Sequence, residues 1–333
     1  MQPDNDPDAR RASLQPRWWW PLPAGMLLGL ALRLYFSSED INAMSASFAV
    51  LAPIAMGAVT VYVAELRERR TWSYYFVMGA AVNVLFVFGT LLILIEGLIC
   101  VILAAPMFAL LGGIAGVLAG AACRLSRRWA RPTVYSLTVL PLLLGTVESK
   151  LPVPKEISTV ERSITVAAQP ADVWAQLTTA PAIRPEEVDD GWAYRIGVPL
   201  PESALTSDGS PGEVVRHIRM GKGIHFEQVA ADWEPGRRVR WLNRFAPDSF
   251  PPHALDDHVR IGGKYFDLMD VDYSLQPHDD GTTTLRVAVS YRVSTRFNWY
   301  AGRVAEVLVG NFEETVLRFY ARRAEAQARS APG

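Results

Sequence analysis

A run of about fifty residues, from Ser73 to Cys123, contains a single charged residue, Glu96. Because roughly 20 apolar residues in a helix cross the hydrocarbon core of a bilayer, a run of this length fits two crossings. Glu96 and Gly97 lie near its middle and combine a charge with a flexible backbone, which favours a tight turn at the membrane surface. The run therefore predicts a transmembrane helical hairpin.

Basic residues flank this apolar run at both ends, with Arg67, Arg69 and Arg70 before it. Four more follow it, namely Arg124, Arg127, Arg128 and Arg131. Positively charged flanks stay on the cytoplasmic side of a membrane. We therefore expect the hairpin to begin and end inside the cell and to turn outside it.

Three further apolar segments accompany the hairpin, at residues 18–36, 43–64 and 133–147. The first follows several arginines and opens on three tryptophans, which suit the headgroup level of a bilayer. The last is short for a crossing and holds Pro141. Together with hairpin helices at 73–95 and 98–123, these segments predict a membrane-embedded, all-α N-terminal half with about five transmembrane helices.

Residues 1–17 are polar and are predicted to form a disordered cytoplasmic N-terminus. Five crossings then place the C-terminal half on the outer face of the cytoplasmic membrane. If residues 133–147 do not cross, that half is cytoplasmic instead. A glycine series in the fourth helix gives a face that another helix can approach closely, and it leaves open a homo-oligomer through the transmembrane helices. The series comprises Gly112, Gly113, Gly116 and Gly120.

The second half of the chain has the charge density of a soluble domain, and it follows a proline-containing linker at residues 148–159. Acidic residues slightly exceed basic ones there and no basic run occurs, which argues against nucleic acid as a partner. The two cysteines, Cys100 and Cys123, both lie in the hairpin. The soluble half therefore has neither a disulfide framework nor a cysteine-based metal site of its own.

Alternating side chains predict a series of strands in the soluble half, at residues 161–168, 192–198, 212–220, 223–233, 237–245, 265–276 and 282–294. Pro170 opens a short helix whose buried face holds Val173, Trp174 and Leu177. Apolar residues recur at spacings of three and four over 297–326, which predicts one long amphipathic helix. A curved antiparallel sheet must cover its concave face, and only this helix is long enough. We therefore expect an α+β domain at 160–326, enclosing an internal cavity, and a disordered tail at 327–333.

This domain resembles the START/Bet v1-like (SRPBCC) superfamily, in its polyketide cyclase/dehydrase and lipid-transport branch. The resemblance is carried by residues 160–166 (VERSITV), by residues 168–174 (AQPADVW), and by residues 223–229 running into the WEPG turn at 233–236. It implies a helix-grip fold and the binding of a hydrophobic ligand, with catalysis in a minority of members. The preceding helices are similar to those of a bacterial subset with a multi-helix membrane region. No catalytic motif is shared across the superfamily, so none is transferred.

Strand alternation and the helical spacing predict which side chains line the cavity. The set is mostly apolar and aromatic, as ligand pockets usually are. It comprises Trp241, Asn243, Phe245, Tyr265, Met269, Tyr273, Val289, Tyr291, Tyr300, Val304 and Leu308. Each of these residues could equally be ordinary core packing.

Three polar residues are weak candidates for acid–base chemistry. Asp267 would have a raised pKa if it faced an apolar cavity, and His225 and Glu227 share one face of a strand. The alternative for all three is an exposed, solvated position. In the segment 246–263, His253, Asp256, Asp257 and His258 match no closed zinc motif, so we expect a solvated lid loop there and neither a metal nor another cofactor.

Three functions remain open from the sequence. The leading one is a membrane-anchored protein that binds or transfers a lipid, isoprenoid or polyketide-like molecule. A cyclase or dehydratase acting on such a ligand is the second. A membrane sensor or interaction protein is the third. The partners expected are therefore the lipid bilayer and a hydrophobic small molecule.

Overall fold

The structure is a computed structural model that describes residues 18–38, 41–125, 127–209 and 213–330, without the side chains of residues 127–131. The predictions for residues 1–17 and for the basic side chains at 127, 128 and 131 lie outside the described residues. The chain divides into two compact units. The N-terminal unit comprises Met1–Ile95 and Ala104–Pro152, and the C-terminal unit comprises Glu96–Leu103 and Val153–Gly333.

Helices make up the first half of the described chain. They are α1 (Leu22–Tyr35), α2 (a π-helical turn Ser47–Leu51 continued by Ala52–Glu65), α3 (Trp72–Leu92), α4 (Leu98–Leu125) and α5 (Arg127–Glu148). Each coincides with one of the apolar segments of the sequence. Pro106, Pro132 and Pro141 all lie inside helices, and α5 begins at Arg127, six residues before the predicted segment 133–147.

Among the described residues, three helices are long and apolar enough to cross a membrane: Ser47–Glu65, Trp72–Leu92 and Leu98–Leu125. The prediction of about five spans therefore holds only in part. Helix α1 has 14 residues and rises about 21 Å at 1.5 Å per residue, less than the ~30 Å of a bilayer core. Helix α5 has 22 residues, but its first turns carry arginines.

Glycines let helices of the N-terminal unit approach closely. A Cβ atom added at Gly112 of α4 would lie 2.4 Å from the carbonyl oxygen of Gly79 in α3 and 1.9 Å from Nδ2 of Asn83. One added at Gly57 of α2 would lie 2.3 Å from the carbonyl oxygen of Gly112. The predicted close approach of helices along the glycine series thus occurs within this chain.

In the described part of the C-terminal unit, eight strands form a single antiparallel sheet in the order β1-β8-β7-β6-β5-β4-β3-β2. The strands are β1 (Glu156–Val166), β2 (Thr179–Ala180), β3 (Pro201–Asp208), β4 (Val214–Met220), β5 (His225–Glu234), β6 (Arg238–Arg244), β7 (Phe266–Pro277) and β8 (Thr283–Val293). The helices are α6 (Pro170–Thr178), α7 (Trp192–Arg195) and α8 (Asn298–Ser330). The sheet curves into a half-barrel with α8 along it, which is the helix-grip arrangement.

Most predicted strands are found within a few residues of their expected positions, but four regions differ. Strand β1 begins at Glu156, within the predicted linker 148–159, and α8 continues to Ser330, within the predicted disordered tail 327–333. Residues 192–198 were expected to form a strand, and the structure has helix α7 there. Strand β3 was not predicted, because its residues PESALTSD combine a proline with small and polar side chains of low strand propensity. The turns at Gly236 and Gly281 occur as predicted, and both glycines have positive φ angles (75° and 83°).

The core of the C-terminal unit lies between the concave face of the sheet and α8. Trp241, Leu285 and Val289 on the strands are fully buried against it, as are Val173 and Leu177 of α6. The buried face of α8 includes Ala305, Val309, Glu313, Leu317, Tyr320 and Ala324. Val307 is apolar but 59% exposed, so it does not lie on this buried face.

Candidate functional site

A row of polar side chains crosses the concave face of the sheet. The strand register pairs Arg216 of β4 with Gln228 of β5, and Gln228 with Asn243 of β6. Directly paired residues of antiparallel strands point to the same side of a sheet. Gln228 donates from Nε2 to Oδ1 of Asn243 (3.0 Å), and Asn243 donates from Nδ2 to the Leu268 carbonyl oxygen (2.8 Å). Gln228 and Asn243 are therefore joined by hydrogen bonds, and Arg216 lies beside Gln228 in the same polar strip.

Arg216 is the charged member of this strip and is only 3% exposed. Its Nη2 donates a hydrogen bond to the hydroxyl of Tyr320 on α8. Its guanidinium carbon lies 5.7 Å from the ring centroid of Trp241, which is within the range of a cation–π contact. Its Nε atom has no hydrogen-bond partner among the described residues. A permanent positive charge is thus held inside the domain with one donor still available.

Tyrosines surround the Arg216–Tyr320 pair. The rings of Tyr273 and Tyr320 meet edge to face, with centroids 6.0 Å apart. Burial raises the pKa of Tyr273 well above its usual value, and burial also raises the pKa of Tyr194. Both phenols are therefore neutral donors at physiological pH. The hydroxyl of Tyr194 and Nε1 of Trp241 have no hydrogen-bond partner within the described part of the chain.

Glu313 brings a carboxyl group into the same interior from α8. The side chain is fully buried, and its Oε1 accepts a hydrogen bond from the Val289 amide of β8 (3.2 Å). Desolvation raises the pKa of Glu313 to about 8, against an opposing effect from Arg162. It is close enough to Tyr273 to raise the pKa of that phenol. At neutral pH most Glu313 side chains are therefore protonated, and Oε2 has no partner among the described residues.

We call these residues the interior polar cluster: Tyr194, Arg216, Trp241, Tyr273, Glu313 and Tyr320. Four of its polar atoms, on Tyr194, Arg216, Trp241 and Glu313, are buried without a partner in the described chain. Native proteins leave few buried polar groups unpaired, since each costs about 1–3 kcal/mol. The cluster offers several N–H and O–H donors and one carboxyl group that can give or take a proton near neutral pH.

The structure places the predicted cavity residues in three kinds of environment. Trp241, Tyr273, Val289 and Tyr291 are buried in the core. Partly buried positions are occupied by Asn243, Phe245, Tyr265, Tyr300, Val304 and Leu308. Met269 is 39% exposed, so its predicted inward position is wrong. A β-bulge between Leu268 and Asp270 shifts the alternation there, which explains the error.

The three acid–base candidates do not meet the interior polar cluster. Glu227 contacts His217 (3.5 Å) and Arg244 (2.8 Å), while His225 lies 3.6 Å from Asp248. His225 and Glu227 therefore have separate, solvent-exposed partners. Asp267 accepts a hydrogen bond from the Gly262 amide (2.9 Å) and lies 4.0 Å from Arg292. Burial raises its pKa, as proposed for an inward carboxyl, but the same bulge turns it away from the interior.

A pocket of about 820 Å³ lies over the ends of strands β4 to β6. His217, His225, Glu227 and Arg244 contribute to its lining, and all four belong to the exposed ion pairs described above. Apolar side chains also line this pocket, among them Ile218, Met220, Ile224, Phe226 and Phe245, but none of its lining residues has a buried polar atom without a partner among the described residues. The interior polar cluster is the stronger candidate for a ligand site.

Several solved structures are similar to about half of this chain. The aromatase/cyclase ZhuI from Streptomyces sp. R1128 is 17% identical, with 54% of this chain and 99% of that chain covered and a TM-score of 0.33. A norcoclaurine synthase from Thalictrum flavum is 10% identical (53% and 98% covered, TM-score 0.33). A START superfamily protein from Mycobacterium smegmatis is 12% identical (51% and 97% covered, TM-score 0.33).

These TM-scores are below 0.5, so the helix-grip assignment is based on the strand order and on α8 rather than on the similarities. No protein-family model and no curated protein sequence matches the chain.

Arg216 and Glu313 of the interior polar cluster were not predicted from the sequence, although the sequence holds a signal for each. Glu313 lies four residues after Val309 and four before Leu317, which is the spacing of one helical face. Arg216 lies two residues from both Val214 and Ile218, so the three side chains share one face of a strand. A charged residue at a position where the pattern has apolar residues is informative, because charged residues are rarely buried unless they are paired or functional.

Proposed function

We propose that the C-terminal domain binds one hydrophobic small molecule that carries hydrogen-bonding oxygens, between the concave face of the sheet and α8. The aromatic and aliphatic core would contact the carbon skeleton of this molecule. Arg216, Tyr194 and Trp241 would donate hydrogen bonds to its oxygens, and Glu313 would accept or donate one according to its protonation. A polyketide-like or phenolic compound has this combination of groups.

The observation that carries the proposal is the set of four buried polar atoms without partners in the described chain. They lie on elements that converge from three directions: α7 (Tyr194), the strands (Arg216 and Trp241) and α8 (Glu313). A bound molecule with two or more oxygens would satisfy several of them at once. Ordered water is the alternative occupant, and a purely apolar lipid tail is disfavoured because it would leave every one of them unpaired.

We further propose that the N-terminal helices anchor the chain in the cytoplasmic membrane, with the C-terminal domain on the outer face. Three long apolar helices support membrane association. The segment Glu96–Leu103, which comprises the hairpin turn and the beginning of α4, belongs to the C-terminal unit together with Val153–Gly333. The arginine distribution predicts that the hairpin turns outside the cell. If it does, the membership of this segment in the C-terminal unit supports an outer position for that unit.

Extraction of the purified full-length protein tests the ligand proposal. We expect organic extraction and mass spectrometry to detect a molecule near one copy per chain in the wild type. Arg216→Met removes the buried charge and should reduce that amount at least tenfold. Arg286→Met is the matched control, since Arg286 is half exposed and pairs with Glu161 on the surface. Equal recovery from the two variants, or none from the wild type beyond a detergent blank, would contradict the proposal.

Acid–base catalysis on the bound molecule is a second candidate function, and Glu313 is the observation that favours it. A carboxyl with a pKa of about 8 is protonated at neutral pH yet can lose its proton readily. Glu313→Gln should then abolish conversion of the bound molecule while leaving its recovery by extraction unchanged. A variant that still converts it would eliminate this role.

A further inference from the structure

Three potential metal ligands converge within the C-terminal unit at a place that the proposed ligand site does not involve. Glu96 precedes α4, Cys100 lies in the first turn of α4, and His258 lies in the segment between β6 and β7. A carboxylate oxygen, the thiol sulfur and an imidazole nitrogen all lie within 4.8 Å of one another. Cys100 and His258 are separated by 158 positions in the chain, so no sequence spacing could reveal the group.

The distances within this group match those of a zinc coordination shell. Nδ1 of His258 lies 3.3 Å from Oε2 of Glu96 and 3.9 Å from Sγ of Cys100. Ligand atoms bound about 2.0–2.3 Å from a tetrahedral zinc ion lie roughly 3.3–3.7 Å from one another. The His258–Glu96 distance already fits such a shell, and the other separations, which are at most 4.8 Å, would close with a side-chain shift of about an ångström.

Neighbouring groups hold the ligands in this arrangement. The Asp256 carboxylate accepts a hydrogen bond from the Gly97 amide (2.9 Å), which joins the turn that carries Glu96 to the segment that carries His258. The His258 ring packs against Tyr265 with centroids 5.6 Å apart. The side chains of Glu96 and His258 are only 15% and 21% exposed. Ligands that are mostly buried and held in place by neighbouring groups are typical of metal sites.

We propose that Glu96, Cys100 and His258 bind a divalent zinc ion. A thiolate and an imidazole favour zinc over calcium or magnesium, which prefer oxygen ligands. Three protein ligands leave one tetrahedral position, for water or for Asp256. The ion would fix the turn before α4 to the segment between β6 and β7. This proposal replaces our expectation from the sequence that the chain holds no metal.

The test uses full-length protein purified in detergent through a tag without histidine. Zinc content is measured by elemental mass spectrometry, and affinity by competition with a chromophoric chelator. We expect about one zinc per chain in the wild type and at least tenfold weaker binding in Cys100→Ser and His258→Asn. Cys123→Ser and His278→Asn are matched controls and should bind zinc as the wild type does.

Cobalt substitution gives a second measurement that depends on the thiolate itself. We expect a thiolate-to-cobalt charge-transfer absorption in the wild type and in Cys123→Ser, and its loss in Cys100→Ser. Thermal unfolding in metal-free buffer identifies any variant that has lost its fold. Equal zinc binding by Cys100→Ser, His258→Asn and the wild type would overturn the proposal, as would a wild type that binds no zinc. In that case Glu96 and His258 form only an ion pair.

Discussion

At the scale of single residues, Glu313 is notable because an acidic side chain occupies a buried position that the helical pattern of α8 gives to apolar residues. It occupies an ordinary core position of α8, yet it is a carboxylic acid without solvent contact. Burying an ionised carboxylate is costly, so the group keeps its proton to about pH 8. The folded state therefore binds one more proton than the unfolded chain between about pH 4.5 and pH 8.

This difference in bound protons determines how the free energy of unfolding depends on pH. Because the folded pKa lies above the unfolded value, the contribution of Glu313 to stability should fall as the pH rises through that window, by a few kcal/mol in total. Glu313→Gln should remove this part of the slope in thermal unfolding between pH 5 and pH 8.5. Glu314→Gln is the control, since Glu314 is about half exposed. An unchanged slope in Glu313→Gln would show that the carboxyl does not bind this proton.

Individual site residues could be predicted from the sequence only where alternation is uninterrupted. Trp241, Tyr273 and Val289 were assigned inward positions and are buried. Met269 was misassigned because one extra residue at the bulge inverts the alternation, and the same bulge turns Asp267 outward, which is the alternative that was left open for it. No composition or spacing rule locates such a bulge, so the error could not have been avoided from the sequence.

At the scale of elements, the close contact between α3 and α4 depends on glycine. A side chain at Gly112 would overlap the backbone of Gly79 and the amide of Asn83. We expect Gly112→Ala to lower the unfolding midpoint in detergent, at a cost of about 1–3 kcal/mol. Gly89→Ala in α3 is the control, because nothing lies within 4 Å of its added Cβ, and it should be neutral or slightly stabilising. Equal midpoints for the two variants would contradict this packing.

The C-terminal part of α8 is held by a specific ion pair. Arg323 donates from Nε and Nη2 to the Glu187 carboxylate (2.8 and 2.9 Å) and from Nη1 to the Pro181 carbonyl oxygen (3.0 Å). These hydrogen bonds lower the pKa of Glu187 to about 2. The folded value is below the unfolded one, so this stabilisation is present above about pH 4.5 and is lost as the pH falls toward 2.

Arg323→Met should therefore destabilise the C-terminal unit by about 2 kcal/mol at pH 7, and by progressively less below pH 4.5. Denaturant unfolding at several pH values measures both effects. Arg303→Met is the control, because Arg303 is 82% exposed. A loss that is constant with pH, or equal in the control, would refute this role of the ion pair.

The elements themselves were largely predictable, because periodicity and turn residues are local properties. Strands β4 to β8 and helix α8 begin and end within a few residues of the expected positions. Strand β3 has one β-branched residue, Thr206, and no aromatic one, so its sequence barely marks a strand. Hydrogen bonding to β4 stabilises it instead. Glu96, Cys100 and His258 come together only through tertiary structure, which no local pattern encodes.

At the scale of the whole molecule, the distribution of arginines predicts where each part of the chain lies. A reporter that is active only outside the cytoplasm, fused after Ser330, should be active in cells. The same reporter fused after Arg70, in the first inner loop, should be inactive. A cytoplasmic reporter after Ser330 that is active instead would mean that the segment at 133–147 does not cross the membrane.

The central claim is that a bound molecule satisfies the buried polar atoms of the interior polar cluster. An experimental density map of the purified full-length protein tests this most directly. We predict non-protein density within hydrogen-bonding distance of Nε of Arg216 and Oε2 of Glu313, elongated beyond the size of a water molecule. An interior in which those atoms contact only protein groups or isolated waters would contradict the claim.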